Sequence, residues 1–407
     1  MATVRATFIL GLAASFLLAG CGRGAPTLLE TPAAPGAALP RLSVDPDGMA
    51  WLSWVEPKDG GHALRFSALG PEGWTPVRTA AAGSDWFVNW ADFPSVIHLG
   101  AGRLAAHWLR KVEGGPYAYH VQMSLSDDGG AHWSAPLTPH ADASPTEHGF
   151  VSLFARDAGV GAVWLDGRHT GADSAAGHDH DGHGHGSGAM TLRAGGLDWS
   201  GARLPETELD DSTCDCCPTA VAEVPGGVVV VYRDRAPGEI RDIRATTLGP
   251  DGWSASVPVG EDGWEMPACP VNGPAVAARD SRVAAAWFTA AGGTPSIRLA
   301  FSADGGRHWG APMTVADGAV LGRVAVVMPD ADSAVVSWLE QSRTRAEIRF
   351  RRLDADGRAG PSYKLAATVA ARSSGFPQMA LHGDRLLFAW TAVGEPSMVR
   401  AATAPVP

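Results

Sequence analysis

Four cysteines in the middle of the sequence offer thiol chemistry. Three lie in the run TCDCCP and the fourth precedes a proline: Cys214, Cys216, Cys217 and Cys269. In an oxidising compartment such thiols pair, and a disulfide from Cys269 to one of the other three is predicted, with the connectivity open. The alternative is a soft-metal centre for copper or zinc, in which thiolates act with Met266 or a histidine.

A second group of metal-binding side chains is the run HDHDGHGHG. Its four histidines alternate with Asp and Gly: His178, His180, His183 and His185. Tracts of this composition bind divalent metal ions. Because nothing in the run fixes a coordination geometry, two interpretations stay open: a metal-buffering loop, or a solvated insertion with no role.

Arginine and carboxylate side chains are interleaved in two further segments, WLDGRH and YRDRAPGEIRDIR. A guanidinium presents a planar fork to an anion, so these segments can hold an anionic ligand or a sugar. The same residues can instead form ion pairs that brace two hairpins. The candidates for ligand binding are Arg110, Arg168, Arg233, Arg235, Arg241 and Glu340. The candidates for an acid/base catalyst are Asp166 and Asp234.

A repeated unit must position these side chains. A short apolar strand ending in an aromatic residue recurs seven times, at Trp54, Trp108, Trp164, Tyr232, Trp287, Trp338 and Trp390. The spacing runs from 51 residues (Trp287 to Trp338) to 68 residues (Trp164 to Tyr232). Units of this kind, built from short antiparallel strands that cannot bury their faces alone, pack as blades around an axis. The sequence therefore predicts an all-β fold, a β-propeller of four-stranded antiparallel blades.

Seven blades are predicted. They begin near Leu39, Asp92, Phe150, Thr219, Gly273, Arg323 and Pro377. The seventh repeat runs out of chain after its third strand, so we expect residues 27–30 to supply its outer strand and close the ring. A six-bladed ring with an atypical first or last unit is the alternative.

Two turns match the pattern S-x-D-x-G-x-x-W. Their residues are Ser126, Asp128, Gly130 and Trp133 in the first, and Ser302, Asp304, Gly306 and Trp309 in the second. In such a turn the Asp accepts backbone N–H bonds, the Gly takes a positive φ, and the Trp packs back on the blade. Both turns join third to fourth strands and mark the bottom end of their blades. The cysteines, the histidine run and the interleaved charges then fall at the opposite end, the top face.

At these two turns the chain resembles the BNR or Asp-box superfamily, which includes sialidases. The resemblance implies the propeller fold and, for sialidases, an arginine triad, a Tyr nucleophile backed by Glu, and an Asp acid/base. The chain departs from that pattern: Tyr232 occupies the repeated packing position, Tyr363 lies in an outer strand, and Tyr117 and Tyr119 lie in blade 2. The chain also looks like a group of sialidase-like bacterial envelope proteins, on the basis of the segments TCDCCPT, YRDR, EIRDI and CPVNGP. This resemblance does not indicate which reaction, if any, the protein catalyses.

The N-terminus resembles the signal of a bacterial lipoprotein. Arg5 precedes an apolar run over residues 6–18, and Ala19, Gly20 and Cys21 follow as a lipobox. The resemblance implies a signal peptide over residues 1–20 and a lipid anchor on Cys21. Because Gly22 follows the cysteine, it implies an outer-membrane location, facing the periplasm or the exterior. An ordinary secretory signal is the alternative. Residues 21–38 then form an Ala/Pro-rich tether, and residues 39–407 a single propeller domain.

The composition agrees with an exported all-β domain. The 407 residues include 50 Gly, 30 Pro and 15 Trp, and the formal net charge is −11, which disfavours nucleic acid and anionic lipid as partners. The leading prediction is an outer-membrane-anchored, sialidase-like propeller that binds a carbohydrate or small anionic ligand on its top face. The alternatives are an exo-sialidase-type glycoside hydrolase and a copper- or zinc-binding envelope lipoprotein.

Overall fold

A computed structural model describes residues 25–171, 188–343 and 345–407. The predicted signal peptide, Cys21 and the four histidines of the HDHDGHGHG run lie outside the described residues. Within the described ranges the chain is built from strands and two single 3-10 turns, Ala291–Gly293 and Arg372–Ser374. Nothing in these ranges is a helix of the length and apolar character needed to cross a bilayer.

The strands group into seven sheets. The first strand is β1 Thr27–Leu29, and blade 1 follows with β2 Ala38–Val44, β3 Ala50–Lys58, β4 Gly61–Gly70, β5 Gly73–Trp74 and β6 Arg78–Gly83. Blade 2 has β7 Ser95–His98, β8 Leu104–Lys111 and β9 Tyr119–Ser126. Blade 3 has β10 His148–Arg156, β11 Gly159–Asp166, β12 Thr191–Asp198 and β13 Thr207–Asp210. Blade 4 has β14 Ala220–Val224, β15 Gly227–Arg233, β16 Ile243–Gly249, β17 Gly252–Trp253 and β18 Val257–Gly260. Blade 5 has β19 Ala275–Arg279, β20 Arg282–Thr289, β21 Ser296–Ser302 and β22 Met313–Asp317. Blade 6 has β23 Val320–Asp330, β24 Ser333–Ser342, β25 Arg345–Asp354 and β26 Tyr363–Thr368. Blade 7 has β27 Gln378–His382, β28 Arg385–Ala392 and β29 Met398–Pro405.

Every blade is an antiparallel meander, so the predicted seven-bladed propeller is confirmed. In blade 2 the outer position is reduced to one bridge, in which Met123 and Leu137 exchange backbone hydrogen bonds of 2.7 and 2.8 Å. Blade 7 is completed by β1, which pairs with β29 in the register Thr27 to Thr403 and Leu29 to Ala401. The N-terminal closure of the ring is therefore confirmed. The propeller begins within the segment assigned to a tether, because residues before 39 belong to its sheet.

The repeated aromatic residue explains why the blades stack. Each of the seven side chains is at most 4% exposed and lies in a hydrophobic core shared with the preceding blade. Trp54 packs with Leu387 and Val399 of blade 7, and Trp338 packs with Ala284 and Ile297 of blade 5. Seven aromatics thus fill seven interfaces, which is what a closed ring of seven requires.

A second repeated feature lies across from the aromatic on the third strand. Trp54 pairs with Arg65, and Trp338 pairs with Arg349. The other partners are Gln122, Arg193, Arg244, Arg298 and Arg400, opposite Trp108, Trp164, Tyr232, Trp287 and Trp390. Most of these side chains reach the fourth strand, as in the 2.6 Å hydrogen bond from Arg298 to Thr314 and the 3.0 Å bond from Arg349 to Ser362. The pair therefore ties three strands of a blade together.

The two Asp-box turns have matching hydrogen bonds. In the first, Asp128 Oδ1 accepts bonds of 2.9 Å from Ser126 and from the backbone of Ala131 and His132. In the second, Asp304 Oδ1 accepts equivalent bonds from Ser302, Arg307 and His308.

The tryptophans of these turns pack back on the blades, as expected, and also reach the preceding blade. Trp133 meets Phe66 of blade 1 edge to face, with ring centroids 5.8 Å apart, and Trp309 joins the core between blades 4 and 5. The Asp box thus forms a tight turn and also places its tryptophan side chain between two blades.

Candidate functional site

The top face collects the chain segments that enter each blade. The cysteine run lies between β13 and β14, and Cys269 lies between β18 and β19. The backbone N–H of Cys214 donates to the carbonyl of Arg233, at the far end of β15, over 3.0 Å. The Asp boxes lie at the other end, where the N–H of Gly129 donates to the carbonyl of Gly102 in the turn between β7 and β8. The thiols and the Asp boxes therefore occupy opposite ends, as the repeat predicts.

We call the residues Cys214, Asp215, Cys216, Cys217 and Cys269 the thiol centre. The Sγ atom of Cys214 lies 3.2 Å from that of Cys217 and 3.8 Å from that of Cys216. The ligand atoms form two overlapping triads, each with all atoms within 4.8 Å of one another. The inner triad is Cys214, Cys216 and Cys217; the outer triad is Asp215, Cys216 and Cys269.

The predicted disulfides are not present. All four cysteines of the described chain are free thiols. A disulfide holds its sulfur atoms about 2.05 Å apart, well inside the distances found here. Cys269 faces the carboxylate of Asp215, with Sγ 3.6 Å from Oδ1, and is not bonded to another sulfur. The tight turn gathers sulfur atoms around a common point, which fits the predicted alternative of a metal site.

Two buried guanidinium groups lie beside the thiols. Arg233 is 2% exposed and donates to the backbone carbonyls of Asn272, Arg241 and Phe288, and its guanidinium lies 4.9 Å from the ring of Trp264. These contacts turn its donors toward the protein, so they favour a role in joining blades 4 and 5 over the predicted anion clamp.

Arg241 differs from Arg233 in its hydrogen bonds. It is also 2% exposed, and its Nη2 donates to Glu239 over 2.6 Å. Its Nε and Nη1 have no hydrogen-bond partner among the described residues, although Nη1 lies 3.9 Å from Asp215 Oδ1. A buried cation beside the thiol centre thus has two donors without a hydrogen-bond partner among the described residues, and one of them, Nη1, lies near Asp215.

The protonation of the thiols follows from these surroundings. Burial raises the pKa of Cys214 to about 12. Burial also opposes ionisation of Cys217, but hydrogen bonds from Cys214 and Cys216 and the charge of Arg233 outweigh it and hold the pKa of Cys217 well below its usual value. The centre thus favours one thiolate stabilised by neighbouring S–H groups, the form that binds a metal ion.

The predicted acid/base candidate Asp166 is an acceptor for a structural indole. Trp164 Nε1 donates to it over 2.8 Å, and Arg168 donates through Nε and Nη2 over 2.8 and 2.7 Å. Burial opposes its ionisation, but these hydrogen bonds and the nearby His148 lower the pKa of Asp166 below its usual value. A carboxylate held ionised in this way is a poor general acid.

The other predicted ligand-binding residues also form pairs within a blade. Glu340 accepts a 3.0 Å bond from Trp338 Nε1, and Arg235 donates to Glu239 over 2.8 Å. Arg110 is exposed at the end of β8. Asp234, the second acid/base candidate, has its pKa raised to about 6 by burial and by the neighbouring Asp210. The structure does not bring these side chains together into one pocket.

Sequence reasoning missed a group of buried acids between blades 2 and 3. The hydroxyl of Tyr119 donates to Glu147 Oε1 and lies 3.4 Å from Asp92 Oδ2. Burial raises the pKa of Asp92 to about 7 and that of Glu147 to about 8. Asp92 lies three residues before β7 and Glu147 directly precedes β10, in connections that enter a blade, as the cysteines do. This shared position is the signal that could have found them.

Three buried histidines beside blade 3 were also missed. The rings of His140 and His148 stack with centroids 4.3 Å apart, and His120 meets both edge to face. His148 Nε2 lies 3.0 Å from Asp142 Oδ2, whereas His140 Nε2 has no partner among the described residues. Burial and the charge of His148 lower the pKa of His140 to about 3.

A cavity of about 190 Å³ lies on the propeller axis. First strands of five blades supply lining residues such as Leu42, Val276 and Met379. Arg41 reaches into it and makes one long contact, 3.5 Å to Gln378 Oε1, with no ion pair in the part of the chain that the structure describes. In an adjoining pocket lined by Arg41 and Asp92, His107 Nε2 is buried and has no hydrogen-bond partner within residues 25–171, 188–343 and 345–407. This pocket therefore has polar groups whose hydrogen-bonding capacity is not fully used by the described residues that line it.

Comparison with known proteins places the chain by fold. No family model matches it, and neither does any curated protein. Among solved structures it is similar to the phage phi92 endosialidase, with 9% identity over 94% of this chain and 69% of that one and a TM-score of 0.51. It is also similar to the polysaccharide lyase Uly1, with 7% identity over 90% and 89% of the two chains and a TM-score of 0.50.

A third similar structure is the Hadza microbial sialidase Hz136. The identity is 15%, the TM-score is 0.44, and the match covers 74% of this chain. This chain spans 63% of the length of that sialidase. At such identities the likenesses to solved structures show a shared propeller fold alone.

Proposed function

We propose that this protein is a bacterial envelope propeller that binds a soft metal ion, copper or zinc, at the thiol centre on its top face. The observation that carries the proposal is the pair of overlapping triads, in which four thiols and one carboxylate from two blades converge. Thiolate ligands select copper(I) and zinc among the common metal ions.

The surroundings of the centre support this function. Arg233 and Arg241 are buried beside the sulfur atoms, and their positive charges favour thiolates over thiols. A free thiol in an exported protein is prone to oxidation. A bound ion would protect four clustered thiols from that oxidation.

The metal content of the purified protein tests the function. The protein is purified without added metal and assayed by elemental analysis, in parallel with the double variant Cys214→Ser/Cys217→Ser and a variant lacking residues 177–186. The proposal expects bound copper or zinc in the wild type and in the loop deletion, and little in the double variant. Metal that disappears with the loop deletion alone would assign binding to the histidine run and overturn the proposal.

Anchoring through Cys21 belongs to the same proposal. Its support is the lipobox-like segment from Ala19 to Cys21. Mass spectrometry of the N-terminal peptide from membranes tests it, with Cys21→Ser as the control. A diacylglyceryl-modified cysteine is the expected result, and an unmodified peptide with a different N-terminus would contradict it.

A second candidate function is carbohydrate binding in the axial cavity. Arg41, which forms no ion pair with any described residue, lines this cavity together with the aromatic side chains of Phe93 and Phe376. His107 lines the adjoining pocket and has a ring nitrogen with no partner among the described residues. Such groups are suited to an acidic sugar. Proteins of similar fold are described as an endosialidase and a polysaccharide lyase. Binding would centre on Arg41 rather than on the arginines predicted from sequence.

Calorimetry with sialic acid, glucuronic acid and glucose tests this candidate. The acids are expected to bind, glucose is not, and Arg41→Ala should abolish binding while Arg282→Ala, on a bottom turn, should not. Equal binding of all three sugars, or none, counts against the site. Turnover of a fluorogenic sialoside that is lost in Tyr119→Phe would point to the hydrolase alternative, and the absence of turnover would weigh against it.

A further inference from the structure

The two triads of the thiol centre differ in their access to solvent. In the inner triad Cys214 and Cys217 are 1% and 2% exposed. In the outer triad Cys269 is exposed and Asp215 is partly exposed. Cys216, which is partly exposed, belongs to both. The two sets of ligands therefore form a path from solvent to the buried sulfur atoms, with one residue common to both ends.

The triads also differ in how firmly the surrounding structure holds their ligands in place. The inner cysteines lie in one turn, fixed by the backbone bond from Cys214 to Arg233 and packed beside Asn272 and Arg233. Cys269 comes from the neighbouring connection between β18 and β19, and its sulfur contacts only Asp215 and Cys216 among the ligands. An ion held by the outer triad can exchange one ligand at a time around Cys216 without leaving the protein.

Ligand number and charge bear on which ion the inner triad suits. Three thiolates carry three negative charges, and a monovalent ion leaves two. The guanidinium groups of Arg233 and Arg241 are buried beside these sulfur atoms, and Arg241 also pairs with Glu239. Nε and Nη1 of Arg241 have no hydrogen-bond partner in the part of the chain that the structure describes. Zinc normally takes four ligands in a closed structural site, one more than the inner triad has, whereas soft thiolate sets select copper(I).

We propose that the thiol centre is a two-step relay for a monovalent thiophilic ion of the copper(I) class, captured by the outer triad and retained by the inner triad. This inference rests on the proposed function. In the transfer, Cys216 keeps its bond to the ion, bonds from Asp215 and Cys269 break, and bonds to Cys214 and Cys217 form. Each thiol that becomes a ligand releases its proton to solvent, and the ion keeps its oxidation state throughout.

Loading kinetics under anaerobic conditions test the relay. Copper(I) is delivered from its coloured complex with bicinchoninate, so that the decay of the colour gives the loading rate and its final level gives the affinity. For Cys269→Ser the relay expects loading slowed by at least about tenfold with a nearly unchanged affinity, an effect of the size found when residues around the ligands of a metal site are replaced. For Cys217→Ser it expects an affinity lower by at least about 100-fold, with a rapid initial phase retained.

Cys216→Ser completes the set, because a shared ligand should reduce both rate and affinity. Equal affinity losses in Cys269→Ser and Cys217→Ser would replace the relay by one site with four ligands. A Cys269→Ser protein that loads as fast as the wild type would also overturn it. A wild type that binds zinc at the thiol centre but takes no copper(I) would overturn the relay and leave the proposed function standing, whereas failure to take either ion would defeat the proposed function. Circular dichroism of each variant shows whether it is folded, and silver(I), which is redox-inert here, serves as a second probe.

Discussion

The carboxylates two residues beyond the repeated tryptophan serve as acceptors for its indole N–H. The bond to Glu56 is 2.6 Å, the bond to Asp166 is 2.8 Å and the bond to Glu340 is 3.0 Å. An arginine then neutralises the same carboxylate, as Arg65 does for Glu56 and Arg349 for Glu340. A buried indole N–H needs such a partner, and the period of two residues along a strand places it on the same face.

The contribution of this carboxylate to stability should increase with its burial. Asp166→Asn is expected to lower the free energy of unfolding by about 3 kcal/mol, because it removes the buried carboxylate charge that accepts from Trp164 and Arg168 and leaves Arg168 with Glu206 alone as its ion-pair partner. Glu340→Gln makes the equivalent change at a side chain 30% exposed and should lose less than about 1 kcal/mol. Urea unfolding of both variants measures the difference. Equal losses would show that burial does not govern this contact.

His140 should make stability depend on pH. Its folded pKa is about 3, below the usual 6.5, so the folded state is neutral where the unfolded state is protonated. Stability contributed by the neutral ring is present above about pH 6.5 and is lost as the pH falls toward the folded pKa, amounting to about 2 kcal/mol between pH 7 and pH 5.

The variant His140→Gln isolates this contribution. Its unfolding free energy should fall less steeply between pH 7 and pH 5 than that of the wild type. The difference in slope should correspond to about one proton fewer taken up on unfolding. Parallel slopes for His140→Gln and the wild type would contradict the assignment.

At the residue scale the sequence predicts positions better than roles. The cysteines converge because their connections enter adjacent blades, which the repeat spacing already implies. The role of Arg233 was not predictable, since the carbonyl groups that satisfy it come from distant positions such as Asn272. The partners of Asp166 are local, and its pairing with Arg168 agrees with the alternative of ion pairs that brace a hairpin. The buried histidines around His140 were missed because single polar residues in loops carry no periodic signal.

At the element scale the Asp-box turn acts as a spacer between blades. Gly130 has φ +81°, and a Cβ added there would lie 2.5 Å from Cζ of Phe66 in blade 1. Gly306 has φ +92° and the same relation to Val229 of blade 4, at 2.6 Å. The glycine of the Asp box is therefore required both by its backbone conformation and by the close approach of the neighbouring blade.

Substitution of adjacent glycines separates these two requirements. Gly129→Ala adds a side chain at φ +72° where the only neighbour is Arg78 at 3.8 Å, so it should cost about 1 kcal/mol from the backbone alone. Gly130→Ala adds overpacking against Phe66 and should cost a further 1–3 kcal/mol, roughly. Thermal unfolding of the two variants compares them. Similar losses would mean that Phe66 yields and that the box does not set the distance between blades.

At the scale of the whole molecule, seven aromatic interfaces and one borrowed strand close the ring. Both were predictable from sequence, since the aromatic recurs at a nearly fixed spacing and the last repeat lacks a fourth strand. The missing outer strand of blade 2 was not predictable, because Leu137 satisfies its bridge within a segment that resembles an ordinary loop.

The closure can be tested at β1. Leu28 is 70% exposed, so its side chain contributes little to packing. Replacement of Leu28 and Leu29 by proline removes backbone donors from the pairing with β29 and should lower the unfolding midpoint of the whole propeller, because blade 7 links blades 1 and 6. Alanine at both positions is the control and should have a smaller effect. A proline variant as stable as the alanine variant would show that β1 is dispensable.

The direction of β1 has a consequence for how the molecule would sit on a bilayer. Thr27 pairs with Thr403 near the end of β29, so the chain enters blade 7 from the Asp-box end and runs upward. Thr27 is the sixth residue after Cys21, which gives a reach of at most about 20 Å. A lipid on Cys21 would therefore hold the Asp-box end close to the headgroups and turn the sulfur-bearing rim toward the aqueous compartment, where passing ions and other proteins can meet it.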